Sequence, residues 1–258
     1  MWRALVILAC APACDLVFTV KVPADAGPSM HDEDQDGLFD DVDDCPTVKN
    51  PPTSPGAPQD DLDGDGVGDA CDPHPDVAGD ELLTVEYFDT GFGSVWTPDA
   101  DDWTVSLDSV TSPVPPAIGA KTHGMQRLTL QAKVATLEMG YEVLAIGPPN
   151  NNNNVEIIVN TPGDEARCQV QESLADGSSR LNLSTSRVGT GTDFTPEVAD
   201  GQTLVLRLTR DAPENVCTVG TTRTTLTNAD PRGVIVNAAV DLLDTQIRIK
   251  YIAIYQVK

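Results

Sequence analysis

The chain is short of positive charge, of histidine, of aromatic rings and of long apolar runs. Its 258 residues carry 16 Lys and Arg against 40 Asp and Glu, a formal net charge of −24. So few cations cannot neutralise a phosphate backbone, which argues against a nucleic-acid partner. The three histidines, His31, His74 and His123, stand apart without zinc-like spacing, and each reads as a surface residue. There is no Gly-x-Ser-x-Gly, no His-Glu-x-x-His and no phosphate-cradling loop, so no catalytic motif points to an enzyme. No segment reaches the ~20 apolar residues of a membrane-spanning helix. Strong helical periodicity is also missing, which argues against a helical fold.

What is present is unevenly placed. Between residues 31 and 80, sixteen carboxylates face a single basic residue, Lys49. Two twelve-residue stretches hold most of them: DEDQDGLFDDVD (32–43) and DLDGDGVGDACD (61–72). Asp32, Asp34, Asp36, Asp40 and Asp43 stand at positions 1, 3, 5, 9 and 12 of the first. Asp61, Asp63, Asp65, Asp69 and Asp72 stand at the same positions of the second, and Gly37 and Gly66 both fall at position 6. This is the ligand spacing of a twelve-residue calcium loop. Calcium takes about 6–8 oxygens, alternate Asp residues aim short carboxylates to one side, and glycine allows the sharp turn. That turn directs the position-7 carbonyl, of Leu38 or Val67, inward as a further ligand. The expectation is two calcium ions. A helix-flanked EF-hand does not fit, because position 12 is Asp, Pro46 and Pro73 follow closely, and no amphipathic helix flanks either loop.

The wider pattern resembles a thrombospondin type 3 repeat over about 45 residues. Its marks are the first loop, Cys45-Pro46, Asn50-Pro51, Gln59, and a second loop ending Gly68-Asp69-Ala70-Cys71-Asp72. The resemblance implies calcium held by those Asp side chains and a disulfide between Cys45 and Cys71. The chain departs from the family's pattern in about six extra Pro-rich residues (52–57), and it has one repeat unit rather than an array. Residues 32–76 hold few apolar side chains, so metal binding is expected to supply the module's folding free energy. The module is expected to act as a stiff calcium-dependent spacer.

The N-terminus, MWRALVILACAPAC, resembles a bacterial lipoprotein-type signal, in which a lipidated cysteine becomes the first residue. Cys10 has the better aliphatic context. Cys14 gives a less short signal and leaves four cysteines to pair, so lipidation is expected at Cys14. The chain then divides into a signal (1–13), a Pro-containing tether (14–31), the acidic module (32–76) and a remainder (81–258). The expected location is the cell envelope, as an outer-membrane lipoprotein or at the cell surface. A plain secreted protein is the alternative, and either place lets disulfides persist.

Residues 81–258 are rich in Val, Thr, Leu and Ile in short alternating runs. Strands are expected at 83–88, 127–134, 141–147, 155–160, 166–173, 180–186, 203–210, 215–222 and 245–257, which implies an antiparallel sandwich or barrel. EYFDTGFGSVWTPDADDWTVS near the start, GQTLVLRLTRDAPENVCTVGT, and TQIRIKYIAIYQV at the end resemble the concanavalin A-like lectin/glucanase jelly roll. The fold class expected for the whole chain is all-β, a jelly roll preceded by an irregular calcium-stabilised module. Cys168 and Cys217 lie in expected strands and either pair or remain buried thiols. Trp96, Trp103, Tyr87 and Tyr141 are candidates to stack on sugar rings, with core packing as the alternative. The fold's glucanases carry Glu-x-Asp-x-x-Glu on one strand. That motif is absent, and Glu138 and Glu142 read as surface polarity. The functional expectation is a calcium-binding, lipid-anchored protein whose sandwich binds glycan or a surface protein. A polysaccharide-active enzyme and a purely structural envelope protein are the alternatives.

Overall fold

The computed structural model describes residues 31–89, 91–92, 96–99, 103–114, 122–132, 134–147, 153–171, 178–195, 198–211, 214–227 and 235–257. The expected signal, the lipidated Cys14 and the tether up to residue 30 lie outside the described residues.

Alternation of apolar and polar side chains builds fifteen strands and, among the described residues, no helix. They are β1 (Asp80–Glu86), β2 (Trp96–Pro98), β3 (Thr104–Ser106), β4 (Ser109–Thr111), β5 (Thr122–Ala132), β6 (Val134–Ile146), β7 (Asn154–Thr161) and β8 (Asp164–Gln171). Then follow β9 (Ser179–Thr185), β10 (Gly189–Phe194), β11 (Thr203–Arg210), β12 (Glu214–Val219), β13 (Thr222–Thr227), β14 (Ile235–Leu243) and β15 (Thr245–Val257). One antiparallel sheet runs β13-β12-β11-β6-β15-β4-β3, with β1 also paired to β15, and the other runs β10-β9-β8-β7-β14-β5-β2. The two sheets face each other as a jelly-roll sandwich. Between them lie Leu137, Met139, Tyr141 and Val143 of β6, Val155, Ile157 and Val159 of β7, and Ile247, Ile249, Ile252 and Ile254 of β15, all buried. The period of two along each strand puts these residues on one face and their neighbours on the other. Cys168 of β8 and Cys217 of β12 are joined as a disulfide across that core, so the bond ties one sheet to the other.

The structure extends the expected strands. β6 is one continuous strand of thirteen residues where only 141–147 was expected. β10, β13 and β14 were not expected, although β14 is central in its sheet, between β7 and β5. Gly140, in the middle of β6, lets the Tyr251 ring pack directly on its backbone, and a Cβ there would overlap that ring.

The acidic module does not stand away from the sandwich. Ile252 and Ile254 of β15 face the core, so Ala253 and Tyr255 face outward, and these two share a buried cluster with Cys45, Val67 and Cys71. Thr47 Oγ1 and Tyr255 OH lie 3.3 Å apart, and Arg207 of β11 donates to the Cys71 carbonyl while its guanidinium sits over the Tyr255 ring at 5.6 Å. The module expected as a stiff spacer thus packs on the outer face of the first sheet. Glu138, read as surface polarity, is corrected. It is 1% exposed on that outer face, accepts a hydrogen bond from Tyr251 OH at 3.1 Å and lies 3.6 Å from Arg207 Nε. Glu142 shares that face of β6, because residues four apart on a strand point the same way. It pairs with Arg248 at 2.6 Å.

Candidate metal centre

Both twelve-residue loops are built by the same backbone contacts. The position-5 amide donates to the position-3 carboxylate: Asp36 to Asp34 at 3.0 Å, Asp65 to Asp63 at 3.2 Å. The position-7 amide donates to position 5: Leu38 to Asp36 at 2.8 Å, Val67 to Asp65 at 3.0 Å. The amide two residues beyond position 12 donates back to it: Cys45 to Asp43 at 2.8 Å, His74 to Asp72 at 2.7 Å. Such side-chain-to-backbone bonds curl a segment that has no helix or sheet ladder of its own. The turn glycines adopt the left-handed conformation the sequence demands, with φ of 98° at Gly37 and 95° at Gly66.

The equivalence extends to what is left unpaired. Oδ2 of Asp34, Asp43, Asp63 and Asp72 is buried without a hydrogen-bond partner, at positions 3 and 12 of both loops. A buried carboxylate oxygen with no donor is costly unless a cation compensates it. Ligand atoms of Asp32, Asp34 and Asp36 lie within 4.8 Å of one another, as do those of Asp61, Asp63 and Asp65. Burial, together with the crowding of Asp36, Asp43 and Asp32, pushes the Asp34 carboxyl up to about 6. Burial, with Asp80, Asp65 and Asp63, does the same to Asp72, also to about 6. The donor set is hard, anionic and oxygen-only, which fits a calcium-sized cation better than a soft metal.

Two expected ligands also have other tasks. Asp40 Oδ1 accepts the Glu33 amide at 3.4 Å and Asp40 Oδ2 accepts the Tyr87 hydroxyl, so both oxygens are engaged. Asp69 Oδ1 accepts the Leu62 amide at 2.7 Å in the matching place. Position 9 closes the loop onto position 2 in both cases, and Asp36, Asp61 and Asp65 likewise accept amides on both oxygens, so such bonds do not set Asp40 and Asp69 apart from the other expected ligands. Gln59 and Asn50, marks of the repeat pattern, join the loops: Gln59 Nε2 donates to Asp43 at 2.6 Å and to Asn50 Oδ1 at 2.8 Å, and Asn50 donates to Asp44 at 2.6 Å. Cys45 and Cys71 are bonded as a disulfide beneath this network.

His31 and His74 are not the bland surface residues expected. The His31 ring stacks on Tyr87 with centroids 4.3 Å apart, and His74 bridges Asp80 at 3.0 Å and Asp211 at 2.9 Å. The His123 side chain lies outside the described residues. The proposed stacking rings are also displaced from that role. Trp96 and Trp103 are 3% and 7% exposed within the core cluster, Trp103 edge-on to Phe92, because the sandwich needs their bulk at its end. Tyr141 is a core residue and Tyr87 is held by Asp40, so no ring of the four is offered to a ligand.

The module covers the first sheet, and the second sheet turns a polar face outward. Its rungs include Asn160 bonded to Asn237 at 2.7 Å, Arg167 to Glu156 at 2.9 Å, and Asn182 to Gln169 at 3.1 Å. Asp241 of β14 stands directly opposite Glu156 of β7.

No family model matches the chain, and no curated protein matches it. Solved structures share the fold. The CBM2 module of the evolved Dit of Lactobacillus casei BL23 phage J-1 superposes with a TM-score of 0.54 at 8% identity, over 69% of this chain and 96% of the module. A Bacillus licheniformis beta-glucanase gives 0.50 at 11% identity, over 70% of this chain and 100% of its own. A chain solved in work on endo-acting O-glycanases of the human gut microbiota gives 0.51 at 11% identity, over 69% and 100%. At such identity the likeness establishes an all-β jelly-roll sandwich, as the sequence led us to expect, and leaves the chemistry to the residues.

Proposed function

We propose that the chain is a calcium-binding, lipid-anchored protein of the cell envelope whose sandwich binds glycan. The observation that carries the calcium reading is the repeated pair of buried, unpartnered Oδ2 atoms at positions 3 and 12 of both loops. One ion would be held by Asp32, Asp34, Asp36, the Leu38 carbonyl, Asp40 and Asp43. The other would be held by Asp61, Asp63, Asp65, the Val67 carbonyl, Asp69 and Asp72. Each ion would neutralise carboxylates that otherwise repel one another, and so stabilise the module against the sheet beneath it. Titration calorimetry on the full chain tests this: two calcium ions per chain are expected, and an absence of calcium heat sinks the reading. The lipid anchor, at Cys14 or otherwise Cys10, rests on the N-terminal sequence, and mass spectrometry of the mature protein tests it. The alternative is a secreted form.

The glycan reading is supported by the fold shared with a carbohydrate-binding module and a glucanase, and by the polar outward face of the second sheet. Amide and guanidinium groups in register suit sugar hydroxyls. Pull-down on insoluble polysaccharides should retain the chain, and Arg167→Ala with Asn182→Ala should abolish retention without unfolding. Retention that survives both changes places the sugar elsewhere.

One observation favours a second reading, a polysaccharide-cleaving enzyme. Glu156 and Asp241 are cross-strand partners on the same face, and burial raises the pKa of both carboxyls. Directly opposed residues have Cβ atoms about 4.5–5.5 Å apart. Glycosidases likewise work with two carboxyls that flank one bond. Release of reducing sugar that stops in Glu156→Gln would support it, and no release from any polymer would end it.

A further inference from the structure

One carboxylate outside the two loops has the environment of a metal ligand. Asp80 is the first residue of β1 and belongs to the sandwich, where it pairs with Val257 of β15. It is 4% exposed, with its side chain 1% exposed, and its Oδ1 has no hydrogen-bond partner. A carboxylate oxygen of Asp80 lies within 4.8 Å of a carboxylate oxygen of Asp72 and a ring nitrogen of His74. A strand terminus has no structural reason to bury an unpaired carboxylate oxygen beside the equally unpaired Oδ2 of Asp72.

The neighbouring chain is arranged to hold it there. Asp65 Oδ2 accepts the amides of Gly79 and Asp80 at 2.8 and 2.7 Å, so a position-5 residue of the second loop grips the start of β1. Gly79 permits this with φ of 141°. His74 occupies the other Asp80 oxygen, Oδ2, through Nδ1 at 3.0 Å, and its Nε2 bonds Asp211 in the turn after β11. Both ring nitrogens are therefore taken, and His74 acts as a positioning residue that turns Asp80 Oδ1 toward the loop. The first loop meets the sandwich differently: Tyr87 donates a hydroxyl to Asp40, and His31, just before the loop, lies 3.4 Å from Asp89 through Nε2.

We infer that Asp80 is a ligand of the second-loop cation, so that this ion is held jointly by the module and the sandwich. The inference rests on the calcium reading and adds to it a carboxylate from outside the loop and a function, the metal-dependent clamping of the module onto β1 and β15. Loading the second loop then fixes a domain contact as well as a loop, whereas loading the first loop does not.

The test is calcium titration of the full chain by calorimetry, comparing wild type with Asp80→Asn and Asp34→Asn. Asparagine keeps the size of Asp80 and a hydrogen-bonding group for His74 while removing the charge. Wild type should bind two ions. Asp80→Asn should weaken one ion about tenfold or more and leave the other at wild-type affinity. Asp34→Asn should weaken the other ion instead. Hydrogen exchange supplies a second readout: calcium should protect residues 71–86 in wild type and Asp34→Asn, and should fail to do so in Asp80→Asn. The retained first ion reports that the Asp80→Asn chain is folded. Two ions of unchanged affinity in Asp80→Asn would overturn the inference and leave the calcium reading standing. No calcium binding by wild type would overturn both.

Discussion

Acidification should move the metal-free and the calcium-loaded protein in opposite directions. Asp34 and Asp72 are pushed up to about 6, burial being the largest cause and neighbouring carboxylates adding to it. Unfolded, each would titrate near the ordinary value of about 4. An acid whose folded pKa is raised binds its proton more tightly in the fold than in the unfolded chain. The metal-free fold therefore gains stability as pH falls from 7 through 6 toward 4, and loses it as pH rises through 6. A shift of about two units corresponds to roughly 3 kcal/mol per group, and solvent screening at these partly open sites cuts that to about 1 kcal/mol. His74 pulls the same way: burial lowers it, but the hydrogen bonds to Asp211 and Asp80 win and raise it, so its contribution is present in acid and is lost as pH rises. Calcium must displace the protons on Asp34 and Asp72, so each site should lose about tenfold in affinity between pH ~7 and pH ~5. The assay is calcium titration at three pH values, paired with proteolysis of the module in chelator at the same values. Calcium affinity that is flat across that range, or a metal-free module that becomes more protease-sensitive in acid, refutes the reasoning.

Three further changes probe the fold. Gln35 holds φ of 61° at position 4 of the first loop, where the second has Gly64 at 76°, so Gln35→Gly should relieve left-handed strain and stabilise the loop by about 0.5 kcal/mol net of glycine's added freedom; an unchanged first-site calcium midpoint would contradict this. Replacing Cys168 and Cys217 together by Ala opens a bridge with a sequence separation of 49. It should cost about 4 kcal/mol, seen as a fall in melting temperature of roughly 10 °C. Gly140→Ala drives a methyl into the Tyr251 ring and should destabilise the chain by about 2 kcal/mol in chemical denaturation, with a neutral result showing that the ring can move.

Legibility in the sequence followed contrast. β11 and β15 alternate sharply between large apolar and polar residues, and their limits, 203–210 and 245–257, could be read directly. β14, IVNAAVDLL, buries Ala238 and Ala239 on opposite faces, so its period of two is muted and only its partners β5 and β7 reveal it. The loops were legible because every special position recurs, down to the two glycines with positive φ. What spacing did not show is that position 9 also closes each loop, Asp40 onto the Glu33 amide and Asp69 onto the Leu62 amide. Glu138 was misread because its partners, Tyr251 and Arg207, come from other strands far along the chain. Asp80 carries no local signal at all: it lies eight residues beyond the second loop, outside any twelve-residue period.

Two loops that are near copies in sequence are anchored by unlike chemistry. The first meets the sandwich through a ring and a hydroxyl, with His31 stacked on Tyr87 and Tyr87 bonded to Asp40. Asp40 is itself position 9 of the loop, and His31 also lies 3.4 Å from the Asp89 carboxylate. The second meets it through carboxylates, Asp65 holding the amides of β1 and His74 joining Asp80 to Asp211. Between them the Cys45–Cys71 pair rests on Ala253 and Tyr255, and Arg207 links the Cys71 carbonyl to the buried Glu138. Releasing the module would therefore uncover an apolar tyrosine and a buried carboxylate–arginine pair on the first sheet. A face whose burial depends on the module is a poor place for a constant binding surface. The acidic module thus leaves the second sheet as the face on which a constant glycan surface would lie, and the two proposed activities would occupy opposite sides of one sandwich.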